Sequence, residues 1–197
     1  IKERYNIKKE DDLEELINIV ASGIGTLTNP NKLSNTFKSE KKSVISYDTV
    51  KEYLEYLCDS FLIEKSTRYD VKGKKYINSL HKYYFMDLGL RNARLNFRQF
   101  EKPHLMENLI YNELRIRGYN VDVGIVPSVM RDNDGRQQRS HFEIDFICNM
   151  GSKRYYIQSA YRMETDEKVK QEKSSLLKIN DSFKKIIIIG DESPIIR

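Results

Sequence analysis

Long apolar runs are missing from this chain. No stretch of about eighteen apolar residues occurs, so the sequence predicts no membrane-spanning helix and no membrane partner. The longest aliphatic run, Ile186 to Ile189, reads as a buried strand. Cysteine is scarce: Cys58 and Cys148 both sit inside apolar patterns and supply no disulfide framework, which fits a reducing, cytoplasmic setting. The histidines His81, His104 and His141 are scattered without metal-ligand spacing, and no Ser/His/Asp or Cys/His grouping stands out. A Gly-x-x-x-x-Gly-Lys-Ser/Thr phosphate loop is absent, since Gly73-Lys74-Lys75 lacks both the first glycine and the context. The opening Ile1-Lys2-Glu3-Arg4 is neither an initiator methionine nor a signal peptide, so the sequence reads as a piece of a longer protein.

What is present suits two small domains, each with its own core, in 197 residues. The net charge is +5, and nearly all of the basic excess lies in the first half. Dedicated DNA binders usually show a more strongly basic face, so charge alone is a weak pointer to nucleic acid.

The first domain is placed at residues 1–99. Leu13, Leu16, Ile17, Val20 and Ile24 recur at helical spacing until Gly23 and Gly25 end the pattern. After the Asn29-Pro30 turn, Leu33 and Phe37 mark a short second helix. Ser46 is placed to cap a third helix with the stripe Val50, Tyr53, Leu54, Leu57, Cys58, Phe61 and Leu62. Two β-prone segments, residues 61–63 and 82–85, flank a polar stretch in which Gly73 is expected to supply a positive-φ turn. Three helices and a hairpin predict a winged helix. Its third helix exposes Glu52, Glu55 and Asp59, which a polyanion would repel. The wing residues Lys65, Arg68, Lys72, Lys74 and Lys75 are therefore the candidate phosphate contacts, against the plainer reading of a solvated hairpin tip.

The second domain is placed at residues 100–197, after a connector at residues 88–100. Pro103 opens a helix that ends at Gly118, with Glu107 at the edge of its apolar face. Strands are expected at 119–126, 142–148 and 154–160, then a helix at 166–178 and a strand at 185–189 that joins the sheet in parallel. Asp132-Asn133-Asp134-Gly135 opens like a calcium loop but lacks the later ligands, so it reads as a turn. Asp145, set among strand formers, and Gln158, near the end of the next strand, are positioned to face one cation. Glu143 is expected to point to the opposite face of the sheet from Asp145 and is left outside that set.

Several blocks occur together along most of the chain. They are Ser46-x-x-Thr49-Val50-x-x-Tyr53-Leu54, Phe61-Leu62-Ile63, Lys82-Tyr83-Tyr84-Phe85-x-Asp87-Leu88-Gly89-Leu90, Glu107-Asn108-x-x-Tyr111-x-Glu113-Leu114, Glu143-x-Asp145-Phe146 and Tyr156-Ile157-Gln158. With them the chain resembles the C-terminal region of a large group of prokaryotic ATPases. In that group an AAA-type ATP-binding module precedes a winged helix and a restriction-endonuclease-like domain. The resemblance implies an α+β or α/β architecture of those two parts, with the ATP-binding module lying in cis outside this sequence. It also implies a nuclease-type site in which Glu107, Asp145 and Gln158 hold Mg²⁺, followed by a strand lysine; Ala160 stands at the lysine position. Losing such a charge stabiliser costs about a hundred- to a thousandfold in rate. The expectation is therefore a non-catalytic recognition or regulatory module that binds DNA or a protein, with a degenerate site and no cofactor of its own. One rival is a Mg²⁺-dependent nuclease. Another is a protein-interaction platform presenting the acidic third helix and Tyr53, Tyr56, Tyr83 and Tyr84.

Overall fold

The structure, a computed structural model, describes residues 1–41, 45–131 and 137–190. Among them the chain forms an α+β fold with six helices and six strands. It divides into two compact units, and the division does not follow a single cut in the sequence. The first comprises Ile1–Ser66 and Ser79–Asn108, the second Thr67–Asn78 and Leu109–Arg197.

In the first unit α1 (Glu10–Ser22), α2 (Pro30–Lys41) and α3 (Tyr47–Asp59) follow the apolar periodicity. Leu13, Leu16, Ile17 and Val20 of α1 meet Leu33 and Phe37 of α2 and Val50, Leu54 and Leu57 of α3 in one core, closed by Ile63, Tyr83 and Phe85. The Ser46 hydroxyl accepts the Thr49 amide at 3.0 Å, the N-cap that the sequence predicts. The stretch at 88–100 is more than a connector: Leu88–Arg94 forms α4, capped by the Asp87 carboxylate on the Leu90 amide. Arg91 on α4 is fully buried. Its Nε donates to Ala21 O at 2.8 Å and its Nη1 to Gln99 O at 2.7 Å, so a guanidinium ties the C-terminal end of α1 to the chain beyond α4.

The hairpin is longer than the sequence suggests. Strands β1 (Ile63–Asp70) and β2 (Lys75–Phe85) extend through the expected polar loop, leaving a turn of residues 71–74. The Asp70 carboxylate accepts the Lys72 and Gly73 amides at 3.0 and 2.8 Å, and it is Lys74, at φ 51°, that takes the left-handed conformation. Gly73 is needed for space instead, because a Cβ there would lie 2.5 Å from Asp70 Oδ2.

The sheet runs β2-β1-β3-β4-β5-β6. Its strands β3 (Asn120–Arg131), β4 (Gln137–Met150), β5 (Lys153–Ala160) and β6 (Lys184–Ile189) are joined by α5 (Lys102–Ile116) before β3 and α6 (Asp166–Leu177) before β6. Strands β3 and β4 run further than their apolar segments, while the expected turn at 132–135 lies outside the described residues. β1 pairs with β3 in parallel, β3–β4 and β4–β5 are antiparallel, and β6 joins β5 in parallel as its crossover predicts. On one face Val126, Ile144, Ile147 and Tyr156 pack with Leu176 and Ile179; on the other Phe146 lies 6.4 Å from the ring of Tyr111 on α5. The isoleucine run is not a buried strand. β6 ends the sheet, with Ile186 and Ile189 more than a third exposed.

Candidate functional site

Glu107 belongs to the first unit, and its carboxylate has internal partners. Oε1 accepts the Lys82 ammonium at 2.8 Å and the Tyr84 hydroxyl at 2.7 Å. Lys82 is only 3% exposed and Glu107 9%, so the pair forms away from water, where each charge depends on the other. Gly25, at φ 71°, leaves room for this carboxylate: a Cβ there would stand 3.3 Å from both oxygens. One residue on, Asn108 uses both ends of its amide on the Phe85 backbone, accepting its N–H and donating to its C=O at 2.8 Å each. Glu107 and Asn108 thus fasten the start of α5 to β2. The sequence shows Lys82 and Tyr84 only as members of a block, because an ion pair across 25 positions leaves no local signature.

Asp145 and Gln158 belong to the second unit, on the neighbouring strands β4 and β5. Asp145 sits at a β-bulge. Asp122 pairs with Ile147 but Gly124 pairs with Ile144, so two residues, Asp145 and Phe146, stand opposite Val123. The bulge returns Ile144 and Ile147 to the same face, with Tyr156, and leaves Phe146 on the face of Tyr111. Gly124 allows this, since a Cβ there would come within 2.8 Å of Ile144 Cβ. Asp145 shares the Phe146 face. Gln158, two residues from Tyr156 and paired with Ile187, lies on the opposite one. Strand adjacency therefore does not bring the two side chains together. Glu143, two residues before Asp145 and ahead of the bulge, is the acid that shares its face.

Asp145 is 8% exposed and its Oδ2 accepts the Ser159 amide at 2.7 Å, just past Phe146↔Ile157, where the β4–β5 pairing stops. A carboxylate here takes the place of a backbone carbonyl at the end of a ladder. Gln158 Oε1 is enclosed without a hydrogen-bond partner among the described residues. Ala160 is 2% exposed, its methyl set in the core. Of the cations near this strand, Arg162 pairs with Glu164 at 3.5 Å. Among the described residues no group of three or more His, Cys, Asp or Glu is arranged to hold a metal ion. Burial pushes the Cys58 thiol up to about 11 and that of Cys148 up to about 12, away from the thiolate form.

The hairpin cations differ among themselves. Lys65 is exposed in the first unit. In the second, Lys72 Nζ donates to Pro127 O at 2.9 Å, while Lys74 and Lys75 are exposed at the tip. Arg68 Nε is enclosed without a partner among the described residues. No helix among the described residues is long and apolar enough to cross a membrane.

The comparisons with known proteins give a family without an assigned activity. A family model described as a domain of unknown function, DUF8612, matches residues 1–101. An uncharacterized protein of Haemophilus influenzae is 34% identical over 190 residues, covering 96% of this chain and 43% of its own length. An uncharacterized protein of Methanocaldococcus jannaschii is 29% identical over 197 residues, covering 98% of this chain and 41% of its own. The chain thus spans less than half the length of these relatives. No solved structure matches it.

Proposed function

The chain belongs to the DUF8612 family, and we propose that it is a non-catalytic recognition module of a larger ATP-dependent protein. In this reading the first unit is a winged helix, the second a restriction-endonuclease-like fold, and ATP is bound by a module outside this sequence. One observation carries the non-catalytic part. The acids that a nuclease would turn toward a cation serve the fold: Glu107 neutralises buried Lys82, and Asp145 caps the Ser159 amide. Ala160 in place of the strand lysine points the same way. The three helices followed by a hairpin, the sheet order, and relatives more than twice as long support the architecture.

The module's partner in this reading is duplex DNA, held through its phosphates by the exposed Lys74 and Lys75 of the second unit. Lys72 contributes mainly to the fold, its ammonium being bonded to Pro127. The acidic outer face of α3 supplies no phosphate contact.

Incubation of the 197-residue chain with DNA and RNA in Mg²⁺ or Mn²⁺ tests the reading. No cleavage is expected. Asp145→Ala should lower stability by about 1–3 kcal/mol by stranding a buried amide, while Asp145→Asn, which keeps an acceptor, should cost less. Robust cleavage abolished by both substitutions would make the chain a Mg²⁺-dependent nuclease and overturn the proposal.

A further inference from the structure

One feature of the second unit serves none of the roles above. Tyr76 of β2 meets Tyr69 of β1 edge-on, ring centroids 5.3 Å apart at 70°. Arg154 of β5 reaches back over β4 and β3 to lay its guanidinium 5.5 Å from the centre of the Tyr69 ring, and the same guanidinium lies 5.6 Å from the centre of Phe183, just before β6. Its Nε is fixed by Asn149 Oδ1 at 2.7 Å, and among the described residues it forms no salt bridge. The result is a ladder of ring, ring, guanidinium and ring. Both outer rungs are open to solvent, Tyr76 at 58% and Phe183 at 40% exposure.

Cations flank both ends. Exposed Lys74 and Lys75 precede Tyr76, and exposed Lys184 follows Phe183. The two nearby carboxylates are engaged: Asp122 accepts the Tyr76 hydroxyl at 3.2 Å, and Asp181 accepts the Tyr156 hydroxyl at 2.6 Å and the Lys185 ammonium at 3.4 Å.

We infer that this ladder is a binding site for unpaired nucleic acid, with bases stacking on the free faces of Tyr76 and Phe183 and an intervening phosphate on the edge of Arg154. Exposed aromatic faces interleaved with cations suit a single strand, because every unpaired base offers a π-face and every linkage a charge. A duplex keeps its base faces stacked internally and can use only the cations. An acidic or phosphorylated peptide would use Arg154 but leave the rings idle. The site is separate from the duplex contact proposed above, although Lys74 and Lys75 are near both.

Fluorescence anisotropy with labelled oligothymidylate and a labelled duplex of equal length, both at low salt, tests the inference on the 197-residue chain. Single-strand binding is expected. Tyr76→Ala and Phe183→Ala should each weaken it about tenfold or more and leave duplex affinity unchanged, while Tyr76→Phe, which keeps the ring, should bind like the parent. Lys74→Ala with Lys75→Ala should weaken duplex binding most, so failure of one site is distinguishable from failure of the other. Thermal melts confirm that each variant is folded, and Tyr76→Leu with Phe183→Leu replaces any alanine variant that is not. Absence of single-strand binding, or binding that the ring substitutions do not change, overturns the inference, as would capture of an acidic peptide with equal affinity.

Discussion

At the scale of single residues, the chain uses its buried charge to hold itself together. Lys82 and Glu107 are the clearest case, a pair whose two members are each nearly inaccessible. Removing one partner leaves the other charged and dry, which costs about 3–5 kcal/mol. Lys82→Met alone should therefore shift the urea midpoint strongly, and Lys82→Met combined with Glu107→Gln should recover most of the loss, since the glutamine still accepts from Tyr84. A second group gives a pH signature. Burial raises the carboxyl of Asp122 above its ordinary 3.8, with the Tyr76 hydroxyl and Arg154 pulling against that rise. A raised acid binds its proton more tightly folded than unfolded, so its penalty is absent below 3.8 and grows as pH climbs to the folded value. Asp122→Asn should accordingly be more stable than the parent at neutral pH, and urea titrations on acidification below 3.8 should show that advantage disappear. Equal midpoints at every pH would show that Asp122 ionises in the fold at no cost.

Elements are where the sequence is most and least readable. α3 announces itself because Ser46 caps it and its apolar stripe is unbroken; α6 carries the same signal in Thr165, whose hydroxyl accepts the Lys168 amide at 3.2 Å. The hairpin reads too short because residues 64–70 and 75–81 are mostly polar, and what makes them strands is pairing with each other and with distant β3. α4 hides for a different reason: its most buried residue is an arginine, which apolar periodicity cannot find. The bulge at Asp145 matters most for the candidate site. Strict alternation across β4 predicts a shared face with Gln158, whereas one extra residue opposite Val123 sends the two side chains apart. The hairpin turn can be tested directly. Gly73→Ala would push a methyl to 2.5 Å from Asp70 Oδ2 and displace the carboxylate that holds the turn. A loss of about 1–3 kcal/mol is expected in urea unfolding.

For the whole molecule, the salt dependence of duplex binding separates a phosphate contact from a solvated tip. Removing one cation that meets a phosphate should flatten the slope of log K against log salt by close to one. Replacing Lys72, Lys74 and Lys75 together by Ala should therefore change it by about two rather than three, because Lys72 is bonded within the fold. An unchanged slope would move the partner from DNA to protein. The way the sequence is shared between the units bears on synthesis. The family match ends at residue 101, ahead of Glu107, yet the first unit closes only at Asn108. A ribosome releases Lys82 well before the carboxylate that neutralises it. During that interval the inner half of β2 carries an ammonium whose burial without its carboxylate is costly, which disfavours closing the core of the first unit around it. Translation of the first turns of α5 delivers the missing charge, and the order in which the chain is made becomes the order in which its interior is sealed.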